Sequence, residues 1–156
     1  VFDTSSMVDI QNTINSMRSK HGIPARNCIA DEDGIGGGIV DNCGINGFVN
    51  NGRPFDSAYY NLKCECAYYL AKAMDSIYFE VQVSEDERQC IEEELGQIKT
   101  YQADTDTKLR ILPKEKVKEN IGHSPDWADN FIMRMLFELG ETFDAKAFAR
   151  HVEMLI

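Results

Sequence analysis

Ile29-Ala30-Asp31-Glu32-Asp33-Gly34-Ile35-Gly36-Gly37-Gly38 is the stretch on which the fold reading turns. Cys28, Ile29 and Ala30 are consecutive apolar residues, so Asn27 to Asp31 reads as a short buried strand. Gly34 to Asn42 reads as a glycine-rich turn into a helix, closed by Gly44. Asp31 then stands at a strand end, immediately before the turn. In open α/β sheets that edge is where ligands bind, and glycines let backbone or substrate approach closely. Taken alone, the stretch favours a plainer reading, with Asp31, Glu32 and Asp33 as turn and cap residues of the next helix. It is not a dinucleotide fingerprint, because Ile39 occupies the place of the third glycine.

Upstream, Ser5 or Ser6 can cap a helix whose apolar residues Met7, Ile10, Ile14 and Met17 recur at helical spacing. His21-Gly22 ends it and Pro24 prevents an immediate restart. Downstream, Phe48 and Val49 suggest another short strand and Asn50 to Pro54 a loop. A long helix follows from about Asp56 to Ser76, with Tyr59, Leu62, Cys66, Tyr69 and Ala73 on one stripe. Ile77 to Val83 alternates, as a strand or an extended connection. Ser84 and Glu87 form a capping box for a helix to about Gln97. Ile98 to Gln102 and Lys108 to Leu112 flank the polar turn Ala103 to Thr107 and read as a hairpin. Pro113 starts a short helix ending at Gly122. Ser124-Pro125 opens another, with Ser as N-cap and Pro at the first helical position. That helix is expected to stop at Gly140, with a last amphipathic helix over Asp144 to Leu155. Alternating strands and helices imply an α/β fold with a mixed sheet.

The 156 residues are expected to form a single domain, 1–156, with one core. No apolar run is long enough to span a membrane, and no signal peptide is visible. Val1 in place of Met reads as a fragment or a processed chain. Five cysteines, an odd number without a CxxC pair, read as reduced thiols of an intracellular protein. Cys64 and Cys66 have no His or Cys partner at zinc spacing. A formal net charge of −10 argues against a protein that coats DNA nonspecifically. It is compatible with a nuclease, whose cation-binding carboxylates add negative charge.

A second acid set lies in Ser124-Pro125-Asp126-Trp127-Ala128-Asp129. Asp126 and Asp129 are three apart at a helix start, so both project from one face. Alone they are complements to the helix dipole. Paired with a strand-end acid, they become the layout of an all-oxygen Mg²⁺ or Mn²⁺ site. Two such ions can activate a water and stabilise the leaving oxygen of a phosphodiester. Glu92, Glu93 and Glu94 read as a solvated helix face, Leu95 as buried, and Trp127 and Phe131 as core. His123, beside the acids, is either a proton-transfer group or an unengaged loop histidine.

In this order the segments resemble the nuclease domain of phage terminase large subunits. Asp31 through Gly38, followed by Asp41, looks like that family's strand-end acid, glycine-rich turn and helix. Tyr60-Asn61-Leu62-Lys63 with Glu65 looks like its next helix. Glu94-Leu95, then Lys108-Leu109-Arg110-Ile111 and Pro113-Lys114, match its hairpin and basic turn. Gly122-His123-Ser124-Pro125-Asp126-Trp127-Ala128-Asp129 is the most specific match, and the resemblance covers roughly Asp3 to Leu139.

The resemblance implies a ribonuclease H-like mixed sheet flanked by helices and two Mg²⁺ or Mn²⁺ ions. It implies an endonuclease that cleaves double-stranded DNA during phage genome packaging, in the host cell cytoplasm. Asp31 would be the second catalytic acid, and Asp126 and Asp129 would supply the third position, as metal ligands. Lys114, Arg53 and Lys63 would be DNA contacts. The terminase ATPase domain, small subunit and portal would be partners. The family's first acid lies on an upstream hairpin that this chain lacks, and Asp3 is not its replacement. The domain is therefore expected to be N-terminally truncated, without its first strands and without the ATPase, since no phosphate-binding Gly-x-x-x-x-Gly-Lys-Ser/Thr loop occurs. The rival readings are a non-catalytic docking module that retains the nuclease fold, and a resolvase-like nuclease acting on branched DNA.

Overall fold

Ser6 caps the first helix. The computed structural model describes residues 6–33, 36–74, 83–102 and 106–153, with side chains described as far as residue 140. Within these the chain forms two compact units, residues 1–52 and 53–156. Ser5, Gly34, Ile35, most of the 77–83 segment and residues 103–105 of the expected hairpin turn lie outside the described residues.

In the first unit, helix α1 spans Met7–His21. The Ser6 hydroxyl accepts from the Asp9 N–H at 3.3 Å. Gly22 ends the helix with φ +64°, a left-handed conformation that disfavours any residue with a Cβ. A single 3-10 turn, Ala25–Asn27, leads into β1, Ile29–Asp31. Helix α2, Gly36–Cys43, connects it to β2, Asn46–Phe48. The two strands pair in parallel, with Ile29 opposite Asn46 and Asp31 opposite Phe48. This is a βαβ unit, and parallel strands need such a crossover. The Asn46 side chain anchors the start of β2 by donating to the carbonyls of Arg26 and Cys28 at 2.8 and 2.9 Å. Ile39, Cys43 and Phe48 form the unit's core, with Phe48 fully buried.

In the second unit, α3 spans Leu62–Met74 and α4 spans Glu85–Leu95. The capping box at Ser84 and Glu87 is formed in full. Strands β3, Thr100–Tyr101, and β4, Arg110–Ile111, pair antiparallel as the two arms of the expected hairpin. The chain at Tyr59 runs parallel beside Leu109, so strand pairing in this unit is mixed. Helix α5 covers Lys114–Ile121 and α6 covers Asp126–Glu153. Helices α3 and α4 both pack on α6. The core comprises Cys66, Ala67, Leu70 and Ala73 of α3, Ile91 of α4, Val117 of α5, and Ala128, Ile132, Met135 and Leu139 of α6.

The α/β class is as the alternation of elements indicates, and no helix among the described residues is long and apolar enough to cross a membrane. Two boundaries differ from expectation. The helix expected from Asp56 begins at Leu62, because residues 58–60 are drawn alongside β4: Tyr60 N–H donates to the Leu109 carbonyl at 3.0 Å and Leu109 N–H to Ala58 at 2.8 Å. The stop expected at Gly140 does not occur, and α6 continues to Glu153. A glycine ends a helix by turning left-handed, and Gly140 is not among the positive-φ glycines.

Candidate functional site

Asp31 closes β1 at the carboxyl end of the parallel pair, where a βαβ unit exposes ligands. Asp31, Glu32 and Asp33 are all solvent-exposed. Asn50, just beyond the same end of β2, bridges two of them. Its Nδ2 donates to Asp31 at 3.2 and 3.3 Å and to Asp33 Oδ2 at 2.8 Å. Its backbone N–H also donates to Asp33 Oδ2 at 3.2 Å, and Asp33 N–H donates to Asp31 Oδ1 at 2.9 Å. The partial positive charge of the carboxamide thus lies between two carboxylates that would otherwise repel. Gly36 lies so close that a Cβ there would collide with the carbonyl oxygen of Asp31, and a Cβ on Gly47 would strike the Glu32 carboxylate. Gly36 is a steric requirement of the turn, because the atom it would strike is backbone, whereas the exposed Glu32 side chain can move away from a Cβ on Gly47.

In the second unit, Asp126 and Asp129 both fall in the first turn of α6. Their environments differ. Asp126 is exposed. Asp129 is held from two sides: Lys63 Nζ of α3 lies 2.6 Å from Oδ1, and Lys114 Nζ of α5 lies 2.6 Å from Oδ2. Burial pushes the Asp129 carboxyl up, but the Lys63 and Lys114 ammonium groups outweigh it and hold it below the ordinary 3.8. Two of the three expected DNA contacts are therefore engaged with an expected metal ligand. Arg53, the third, is exposed.

The α6 start is secured by a residue expected elsewhere. Glu94 does not belong to a solvated face: it is 2 % exposed, and its Oε2 accepts from the Ala128 N–H at 2.9 Å. The first intrahelical bond runs from Asp129 N–H to the Pro125 carbonyl at 2.9 Å. Pro125 is thus the N-cap position, one residue later than expected, and Ala128 N–H is one of the orphan donors of the first turn. Glu94 of α4 satisfies it across the core. The signal was present in the sequence: Glu94 lies three residues after Ile91, on the same helix face, and Ile91 is core. Glu92 and Glu93 are exposed as expected, while Leu95, Trp127 and Phe131 are half-buried.

Glu65 plays a similar part in α3. It is 5 % exposed and accepts from the backbone N–H groups of Phe55 and Asp56 at 2.6 and 3.1 Å, fixing the loop before the helix. Burial raises its carboxyl, against the pull of those two bonds. His123 sits 3.7 Å from both Glu93 and Glu94 and contacts the Ser124 carbonyl through Nδ1 at 3.0 Å. That carbonyl, followed by the two glutamates, raises its pKa, with burial opposing.

The Asp31 and Asp33 carboxylates offer the oxygens a hard divalent cation takes, but Asn50 Nδ2 already donates to both Asp31 oxygens and to Asp33 Oδ2, so a cation would have to displace it. Asp129 fits one less well, since a cation would have to displace an ammonium from either oxygen. No family model, curated protein or solved structure matches this chain.

Proposed function

We propose that the chain is a metal-dependent endonuclease domain of the phage terminase large-subunit type, with a ribonuclease H-like fold, acting on double-stranded DNA during genome packaging. The observation that supports it best is Asp31: an exposed acid at the carboxyl end of a parallel βαβ pair, oriented by Asn50 and closely backed by Gly36. Asp31, Asp126 and Asp129 are the carboxylates on which cleavage depends. Bound Mg²⁺ or Mn²⁺ would polarise the scissile phosphate and lower the pKa of the attacking water. Asn50 sets the carboxylate orientation at Asp31. Lys63 and Lys114 keep Asp129 ionised and, once a cation takes that carboxylate, are placed to meet phosphate oxygens. Arg53 adds a backbone contact. The terminase ATPase domain, small subunit and portal are the proposed partners, and the host cytoplasm the place of action.

A second reading, a docking module that has kept the fold without the activity, is favoured by the full engagement of Asp129 with two lysines. Mn²⁺ titration calorimetry and plasmid nicking separate the two, run on this chain and on one extended upstream through a first-acid strand. Nicking by the extended chain, reduced by Asp31→Asn, Asp126→Asn or Asp129→Asn, supports the enzyme. Neither binding nor nicking in either chain supports the docking module.

A further inference from the structure

Cys90, Glu94 and His123 lie together at the junction of α4 with the loop before α6, and one ligand atom from each falls within 4.8 Å of the other two. Cys90 and Glu94 are one helical turn apart on α4, so both side chains leave the same face. His123 reaches them from a loop 29 residues beyond Glu94 in the sequence. Cys90 Sγ lies 3.4 Å from Glu94 Oε1, and His123 Nδ1 lies 3.7 Å from the same oxygen. A tetrahedral zinc ion with bonds of about 2.0 Å to oxygen and nitrogen and about 2.3 Å to sulfur sets sulfur and oxygen about 3.5 Å apart and nitrogen and oxygen about 3.3 Å apart. The Cys90–Glu94 separation lies at its edge before any ion enters, and the His123 ring has to close by about 0.4 Å to reach its own.

We propose that Cys90, Glu94 and His123 form a binding site for one divalent cation of the zinc class. The donor set is one sulfur, one imidazole nitrogen and one carboxylate oxygen. That combination selects a borderline cation over Mg²⁺ or Mn²⁺, which prefer oxygen alone. The charge around it is favourable, since Glu93 and Asp126 also act on Cys90. Access is open from the histidine side, where the ring is 41 % exposed, whereas Glu94 closes the other side at 2 %. A fourth position is left for water or for Glu93, whose carboxylate lies 3.7 Å from His123 Nε2. Binding converts the Cys90 thiol to a thiolate and releases one proton to solvent. Glu94 keeps Oε2 on the Ala128 N–H and offers Oε1 to the ion, and His123 binds as neutral imidazole, exchanging its contact with Ser124 for the metal if Nδ1 is the ligand. The ion would fasten α4 to the loop that starts α6, which is a structural task. The site uses none of Asp31, Asp126 or Asp129 and stands whether or not the chain is a nuclease.

The test is Co²⁺ titration followed by absorption, then displacement by Zn²⁺ to give stoichiometry and affinity. The expected result is one thiolate-bound ion per chain, with a thiolate-to-cobalt charge-transfer band in the near ultraviolet and tetrahedral bands in the visible. Cys90→Ser should abolish the charge-transfer band. Cys90→Ser and His123→Gln should each weaken Zn²⁺ binding by more than the roughly 10–100-fold that outer-shell changes cost. Cys28→Ser should leave it unchanged. Circular dichroism checks each variant's fold; His123, on a loop and half in solvent, gives a variant that keeps the helices. Absence of the band in the parent chain, or its survival in Cys90→Ser, overturns the proposal. So does Zn²⁺ affinity unchanged in a folded His123→Gln.

Discussion

Asp129 is the residue whose surroundings say most about its chemistry. With its carboxyl held below 3.8, folding favours the ionised form. The stabilisation is complete above the unfolded aspartate range and is lost as pH falls through the lower folded value. Asp129→Asn should cost about 1–3 kcal/mol at neutral pH, since it leaves two ammonium groups short of a partner. Urea unfolding should show that gap narrowing as pH falls below the unfolded aspartate range and through the lowered folded value; a gap independent of pH would mean that the ion pairs contribute nothing. Gly36 gives a second residue-scale prediction. Gly36→Ala forces a Cβ into the Asp31 carbonyl, so the turn must shift, at a cost of about 1–3 kcal/mol. The fall in melting temperature checks the cost, and a loss of Mn²⁺ binding beyond it would show the displacement reaching Asp31.

At the scale of elements, two caps on α4 and α6 can be compared directly. Ser84→Ala removes a local capping box and should destabilise by about 1 kcal/mol. Glu94→Ala leaves the Ala128 N–H buried without its acceptor and should cost more, about 2–4 kcal/mol with the lost packing. Glu94→Gln keeps one acceptor oxygen and should fall between them in denaturant midpoints. The contrast explains what was legible. Ser84-x-x-Glu87 could be read because both halves of the box are three residues apart in one line of sequence. The same holds for Gly22 and for the strand ending at Asp31. Glu94 reaching Ala128, and Cys90 meeting His123, are encounters between distant segments, and no local spacing announces them. The late start of α3 has the same cause, since pairing with Leu109 overrides a helical pattern running through Tyr59. Asp31, Asp126 and Asp129 stand out in the sequence by residue type and placement, as Lys63 and Lys114 do by resemblance; that both lysines meet on Asp129 does not.

For the whole molecule, net charge sets the terms of DNA binding. At −10 the chain repels a polyanion, so duplex affinity without divalent ions should be weak and fall with salt. Adding Mn²⁺ should strengthen binding by neutralising carboxylates, and fluorescence anisotropy with a labelled duplex should register the change. Equal affinity with and without the ion would count against a metal-centred interface. Against 26 acidic residues the sequence carries 16 basic ones, and two of these, Lys63 and Lys114, are paired with Asp129.

Lys63 belongs to α3, Lys114 to α5 and Asp129 to α6, so one carboxylate is the common knot of three helices. Cooperative opening units are set by such shared contacts. Untying the knot, by amidation or by acid, should therefore quicken amide hydrogen exchange in all three helices together, where severing a contact between any two would quicken only that pair.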